Sequence, residues 1–310
     1  MTRILVVGAG AVGGYFGGRL VEAGRDVTFL VRKGRAEQIR RDGLRIVSPH
    51  GDATFRPELV QAGAIRSSYD LILLGVKGYA LKSALDDLAP AVGDKSAILP
   101  VLNGMQHMDR LVERFGEDAV LGGVCVVATE LDADGRIVQR TDVQKLAYGE
   151  RDKSETIRIH AIDAVLSNAG FETMLSPDII AAMWEKWVML ASLGSACCLL
   201  RGPIGQIAAA PGGLETTQAL LDECVAAATA LGHPPSPEFL ARHRAVLTTP
   251  GSPLTSSMYR DLMKGAPVET DAILGDLVTR AEIAGVATPL LRAAHCALRI
   301  NMSQRQAPVI

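Results

Sequence analysis

The sequence predicts a doubly wound, mainly parallel α/β domain followed by an all-α domain, on three observations. The chain opens on a glycine-rich junction between a strand and a helix pattern. Up to Ser176-Pro177 the patterns alternate between strand and helix, and beyond that point strand signatures stop. The expected domains are therefore residues 1–176 and 177–310.

The opening junction is the most informative. Residues 4–7 form a short apolar run suited to a buried parallel strand. Gly8, Gly10 and Gly13, with Ala9, Ala11 and Val12 between them, give the G-x-G-x-x-G spacing, and an amphipathic helix pattern follows to Ala23. The first glycine permits a tight turn, the second lets backbone approach a pyrophosphate, and the third lets helix and strand pack closely. The free N–H groups of the helix start supply an anion site. Strand before and helix after are the context that gives this spacing meaning, so the N-terminal domain is expected to be of Rossmann type and to bind a dinucleotide.

Strand two is expected at 26–31, where a site for NAD would end in Asp or Glu to accept from the ribose 2′-hydroxyl. This chain has Arg32-Lys33-Gly34-Arg35 instead. Cations there suit a 2′-phosphate and point to NADP(H), against the alternative of a solvated basic loop. Further strands are expected at 71–76, 96–101 and 119–128, with helices at 79–88, 105–115 and 154–168, the last closed by Gly170. Asp132 to Gly135 reads as a turn, with 137–139 and 145–148 as paired strands across it. In the second domain, 178–200, 215–231, 238–247, 256–264, 270–284 and 289–302 read as helices separated by Pro and Gly clusters.

Composition narrows the function classes. A formal net charge of −2 gives no electrostatic footprint for nucleic acid. No apolar run approaches the roughly 18 residues of a membrane span. The chain enters its first strand directly, so no signal peptide is expected. The five cysteines (Cys125, Cys197, Cys198, Cys224, Cys296) are odd in number and form no C-x-x-C pair, so neither a disulfide framework nor a metal site is expected. These features suggest a cytoplasmic protein with a small-molecule substrate. The apolar helices of the second domain are compatible with a homodimer and equally with that domain's own core.

Five polar residues stand out. Lys186 lies in a helix pattern apolar on most faces, where a lysine is costly unless it lines a cleft, is paired, or snorkels to the surface beside Glu185. Asn103 follows a strand directly, at the end that faces the ligand crevice in such sheets, although Asn-Gly is also an ordinary turn. Lys77 follows the 71–76 strand in the same way, or is a solvated lysine at a strand end. Ser257 and Glu269 are separated by one helix and the turn Lys264-Gly265-Ala266-Pro267, and local readings as a cap and a helix N-terminal acid remain open for them.

Taken together these residues resemble the ketopantoate reductase family over nearly the whole chain. The shared pattern is Gly8, Gly10 and Gly13; Arg32 after strand two; Val76-Lys77; Asn103-Gly104-Met105; Trp184-Glu185-Lys186; and Ser256-Ser257-Met258 followed after a helix by Glu269-Thr270-Asp271. Any one motif is common, whereas the ordered set is specific. The resemblance implies a helical domain like that of 6-phosphogluconate dehydrogenase and NADPH-dependent reduction of 2-dehydropantoate to (R)-pantoate in pantothenate synthesis. It implies that Lys186 donates the proton to the ketone oxygen, that Glu269 orients Lys186 or contacts the cofactor, and that Asn103 touches nicotinamide ribose and substrate. Ser257 would bind the substrate carboxylate and Lys77 the cofactor.

The chain departs from the family's pattern at three positions, where Leu190, Gly194 and Ile204 replace asparagines that hold the substrate in the best-known members. A site that replaces polar donors with apolar side chains changes its substrate preference, which points to a more apolar 2-keto acid as the alternative substrate. Two further alternatives are a hydroxyisobutyrate-type dehydrogenase and a protein that senses NADP(H) without turnover. The block from Ser256 to Asp271 disfavours the first. The joint presence of Lys186, Asn103 and Glu269 disfavours the second.

Overall fold

The computed structural model describes residues 2–306. They form two compact units, one running up to Leu102 and then over His107–Ile180, the other comprising Asn103–Gln106 and the chain from Ala181 onward. The first unit begins with β1 (Arg3–Val7), α1 (Ala11–Glu22), β2 (Asp26–Leu30), α2 (Lys33–Asp42), β3 (Leu44–Val47), β4 (Ala53–Phe55), β5 (Glu58–Val60) and β6 (Leu71–Leu74). It continues with α3 (Leu81–Leu88), β7 (Ala97–Pro100), α4 (Gln106–Phe115), β8 (Gly122–Leu131), β9 (Ile137–Gly149), α5 (Ile157–Leu166) and β10 (Glu172–Leu175).

One sheet has the order β5-β2-β1-β6-β7, and all its pairings are parallel. β1 lies at its centre, and none of Ile4, Leu5, Val6 and Val7 is more than 2% exposed. That burial on both faces is why these strands read as unbroken apolar runs. Tyr15, Phe16 and Leu20 of α1 are buried in the same core, with Phe16 meeting the Phe171 ring edge-on at 4.9 Å.

The second sheet has the order β10-β9-β3-β4, with β8 antiparallel to β9, and is therefore mixed. Here the structure corrects the sequence reading, because 137–139 and 145–148 are two halves of β9 and not partners of each other. β8 is the partner across the turn. The ladder is interrupted where its register shifts between Val127 and Thr129, so that Arg140 to Val143 stand opposite Ala128 alone. That polar bulge has the composition of a loop, which is what divided the strand in the sequence. β3, β4, β5 and β10 were not anticipated. Each has three or four residues, too few for a periodic signal to rise above the surrounding turns.

The helical unit consists of α6 (Ile179–Leu200, which begins at the end of the first unit), α7 (Ile204–Ala209), α8 (Gly213–Ala230), α9 (Pro237–Leu247), α10 (Ser257–Met263), α11 (Asp276–Ile283) and α12 (Pro289–Gln306). The six-residue α7 was not anticipated. Serines cap two of these helices: Ser236 accepts from Phe239 N–H (3.2 Å) and Ser256 from Tyr259 N–H (3.0 Å). The Glu185 carboxylate in turn accepts from the N–H (3.0 Å) and hydroxyl (2.5 Å) of Ser236, so it secures the start of α9. The expected 270–284 helix begins as a π-helical turn, Asp271–Gly275, before α11. Among the described residues no helix is long and apolar enough to cross a membrane.

The interior of this unit holds a buried histidine. His243 is buried, stacked on Phe239, and within 2.9 Å of the Ser192 hydroxyl. That hydroxyl donates to the Val188 carbonyl (2.7 Å), so it accepts from His243 Nε2–H. Burial, reinforced by the charge of Arg242, pushes His243 down to about 4. Above pH 6.5 the ring is neutral folded or unfolded and titration contributes nothing. As pH falls from 6.5 towards 4 only the unfolded chain takes up the proton, and stability drops by up to about 3 kcal/mol. We expect His243→Gln to lose that part of the acid sensitivity, read as a smaller difference in urea-unfolding free energy between pH 7 and pH 4.5 than in the wild type.

Candidate active site

In the first unit, the loops that leave β1, β2 and β6 lie side by side, because β1 pairs with β2 on one edge and β6 on the other. This is the strand end at which open α/β sheets bind ligands. The Gly8 N–H donates to Leu30 O (3.0 Å), and Gly8 sits at φ +94°, a conformation that favours glycine. Gly13 packs tighter still: a Cβ there would lie 2.3 Å from Gly8 O and 3.3 Å from Gly75 O. Gly10 is the opposite case, since a Cβ built on it meets nothing within 4 Å. Gly10 is also the N-cap of α1, with no side chain to cap the helix and no acidic residue in the first turn. The open backbone and uncapped N–H groups fit a dinucleotide pyrophosphate.

Arg32 follows β2 as the N-cap residue of α2. It is exposed, and its guanidinium donates to Ser83 Oγ (3.0 Å). Lys77 follows β6, is exposed, and precedes the short 3-10 turn Gly78–Ala80. Two contributions were not anticipated, the first from an arginine that the sequence reading only grouped with the cations after strand two. Arg35 donates from Nε to Ala9 O (2.9 Å) and from Nη1 to Gly135 O (2.8 Å), fastening the glycine loop to the β8–β9 turn. Gly75 leaves room for Gly13, since a Cβ on Gly75 would lie 2.7 Å from Gly13 Cα. A glycine ending an apolar strand just before Val76-Lys77 was the available signal.

In the helical unit, Lys186 is half-buried on α6, between Glu185 and the buried Trp187. Glu269 is buried, and its backbone carbonyl accepts from Ile273 N–H (3.1 Å). Asn103, half-buried, belongs to this unit through the segment Asn103–Gln106, and Gly104 beside it sits at φ +78° against the Ala272 carbonyl. The Trp187 indole N–H donates to Ile273 O (2.8 Å). The segments bearing Asn103, Lys186 and Glu269 therefore meet at one turn. The sequence reading missed Trp187, for which a second tryptophan one turn beyond Trp184 was the only signal. Ser257 is half-buried at the start of α10, and Ser256 takes the capping role. Its neighbour Met258 packs on α6 at Gly194, where a Cβ would lie 3.1 Å from the Met258 sulfur.

The family model described as ketopantoate reductase PanE/ApbA matches residues 4–153, and its C-terminal counterpart matches residues 178–301. The chain belongs to the ketopantoate reductase family. It is 34% identical over 303 residues to the uncharacterized oxidoreductase YkpB of Bacillus subtilis, covering 98% of this chain and 100% of that protein. A solved 2-dehydropantoate 2-reductase from Geobacter metallireducens is 28% identical, with a TM-score of 0.86, covering 96% of this chain and 99% of that one. A solved D-mandelate dehydrogenase with NADH and anilino(oxo)acetate, 20% identical, shares the fold with a TM-score of 0.87, covering 99% of this chain and 100% of that one. The ketopantoate reductase family member described here is an oxidoreductase of the CH–OH/C=O type that works with a nicotinamide cofactor.

Proposed function

We propose that this family member reduces 2-dehydropantoate to (R)-pantoate with NADPH in the cytoplasm, on the way to pantothenate and coenzyme A. The observation that carries the reading is the setting of Lys186: a half-buried cation on an apolar helix, one residue from an indole bonded to the turn that follows Glu269. In this reading residues 1–176 bind the cofactor and 177–310 supply the substrate-binding and catalytic side chains, with Asn103 joining them.

A nicotinamide cofactor held there would supply the hydride for the ketone carbon. Lys186 gives its proton to the ketone oxygen as that oxygen gains charge. Its ammonium is thus worth more in the transition state than in the ground state, which is what accelerates the step. Glu269 orients the ammonium or contacts the cofactor. Asn103 hydrogen-bonds the nicotinamide ribose and the substrate, and Ser257 holds the substrate carboxylate. The loop Gly8, Ala9, Gly10, Ala11, Val12 and Gly13 cradles the pyrophosphate, Lys77 binds the cofactor, and Arg32 takes the 2′-phosphate.

A second reading, a more apolar 2-keto acid as substrate, is favoured by the wall beyond Lys186. Leu190 and Gly194 follow Lys186 at four-residue steps on one helix face, Met258 covers Gly194, and Ile204 opens α7. Such a surface pairs poorly with a substrate hydroxyl. Assay of NADPH oxidation with ketopantoate and a series of branched and aromatic 2-keto acids separates the two readings. We expect ketopantoate to have the highest kcat/KM, and a tenfold preference for any apolar acid would establish the second reading.

Lys186→Ala is expected to lower kcat/KM by about 10²- to 10⁴-fold with NADPH affinity nearly unchanged. Retained turnover in that variant would remove the proposed role of the lysine. For Arg32→Ala, KM for NADPH should rise far more than KM for NADH. Equal changes for the two cofactors would sink the 2′-phosphate assignment.

A further inference from the structure

Asp271–Gly275 winds as a π helix that starts two residues beyond Glu269. A π turn takes a carbonyl out of the regular helical pattern, and when that carbonyl is buried it requires another donor. The Ile273 carbonyl receives the indole N–H of Trp187 at 2.8 Å, in a buried setting. Ile273 N–H in turn donates to the Glu269 carbonyl at 3.1 Å. A two-step hydrogen-bonded path thus links the backbone of Glu269 to the side chain next to Lys186.

The other groups at this turn hold the path in place. Trp187 is 1% exposed, with the Trp184 ring at 4.9 Å and the Arg280 guanidinium 5.8 Å from its own ring. Gly104 passes so close that a Cβ would stand 2.2 Å from the Ala272 carbonyl oxygen, which seats the Asn103 segment on the same turn. From outside, Asp271 is tied to α12 by His295 Nε2 (3.0 Å) and Arg299 Nη1 (2.8 Å).

We propose that Trp187 is a positioning residue, and that its bond to the π turn sets the aim of Lys186. Successive α-helical residues are about 100° apart around the axis. Pinning the indole to a backbone carbonyl therefore fixes the direction of the lysine beside it, relative to both the Glu269 turn and the Asn103 segment. The accepting carbonyl, that of Ile273, lies within the π turn. The inference rests on Lys186 being the proton donor.

Trp187→Phe tests it, because the ring is kept and the N–H is lost. We expect kcat on the best 2-keto acid to fall at least tenfold, with the dissociation constant for NADPH within twofold of wild type. The solvent deuterium isotope effect on kcat should rise, since proton transfer from a misaimed lysine becomes slower. The rate of Lys186 acylation, followed by mass spectrometry in the absence of substrate, should rise severalfold. A merely structural tryptophan would lower stability or the active fraction and leave kcat per active site, the isotope effect and the acylation rate unchanged. That result overturns the inference. Gly104→Ala disturbs the same turn, so its effect on kcat combined with Trp187→Phe should be less than the product of the two, and independent effects would also count against it. If Trp187→Phe does not fold, Asp271→Asn loosens the turn from its exposed side and should raise both the isotope effect and the acylation rate, and no change overturns the inference. Lys186→Ala run in parallel separates the two claims. Full activity in Lys186→Ala defeats the proposed role of the lysine, on which the inference rests, whereas an inactive Lys186→Ala beside an unaltered Trp187→Phe defeats only the positioning role.

Discussion

The N-terminal unit depends on one steric constraint, the side-chain-free contact between Gly13 and Gly75. A Cβ on either residue would run into backbone of its surroundings, at 2.3 Å from Gly8 O for Gly13 and at 2.7 Å from Gly13 Cα for Gly75. Backbone cannot yield as the end of a flexible side chain can, so α1 reaches its place over β1 and β6 only because both positions lack a side chain. The approach aligns the start of α1 with the ends of β1, β2 and β6. Arg32 and Lys77 are then placed by strand pairing alone, since the chain leaves adjacent parallel strands at the same edge. Gly13 inside α1 costs conformational entropy. The core offsets it: Ile4, Leu5, Val6, Tyr15, Phe16, Leu20 and Leu71 to Leu74 are all fully buried.

The helical unit solves a different problem, that of placing polar chemistry within apolar helices. α6 is apolar on most faces, and hydrophobic packing alone leaves the rotation of such a helix weakly specified. Directional bonds remove the ambiguity. Trp187 bonds to Ile273, Ser192 to His243 and Val188, and Glu185 to the start of α9. Glu185 and Ser192, seven residues apart, hold one face of the helix, and Trp187, two residues from Glu185, holds another. Buried polar networks of this kind specify one arrangement when fully bonded and are costly when only half bonded. His243 illustrates the cost, because its burial makes the unit sensitive to acid even though the ring takes no part in the proposed chemistry.

The legible part of the sequence was whatever repeats or whatever excludes side chains. Apolar runs gave the buried strands, helical spacing gave the helices other than α2 and α7, and the glycines gave the loop after β1. Short edge strands such as β4 and β5 left no periodic trace, because three half-exposed residues contain barely one alternation. β9 was split because the ladder tolerates a polar bulge that composition alone reports as a loop. The π turn was invisible for a deeper reason. Residues 270–284 have an ordinary helical pattern, and the π turn accepts its indole N–H from a residue 86 positions away in sequence. Likewise, nothing local to Ser256-Ser257 says which serine caps α10. The structure gives that task to Ser256, leaving Ser257 at the start of the helix without it.

This division between backbone-set and side-chain-set features bears on how reaction and substrate are separated in the proposed enzyme. In the proposed reading Lys186, Glu269 and Asn103 are aimed by constraints that run through the main chain: a π turn, a positive-φ glycine, and a carbonyl that accepts an indole N–H. Changing any of these disturbs several residues at once, so the type of chemistry is held firmly. The surface one and two turns along α6 is made instead of Leu190, Gly194 and Met258, where a single added methyl on Gly194 would stand 3.1 Å from a flexible thioether. Methionine repacks easily and leucine tolerates exchange, so the preferred 2-keto acid can change there without moving the lysine. Reaction type therefore follows more securely than substrate identity from this chain. The first is written in how the backbone is tied together, and the second in three or four replaceable side chains.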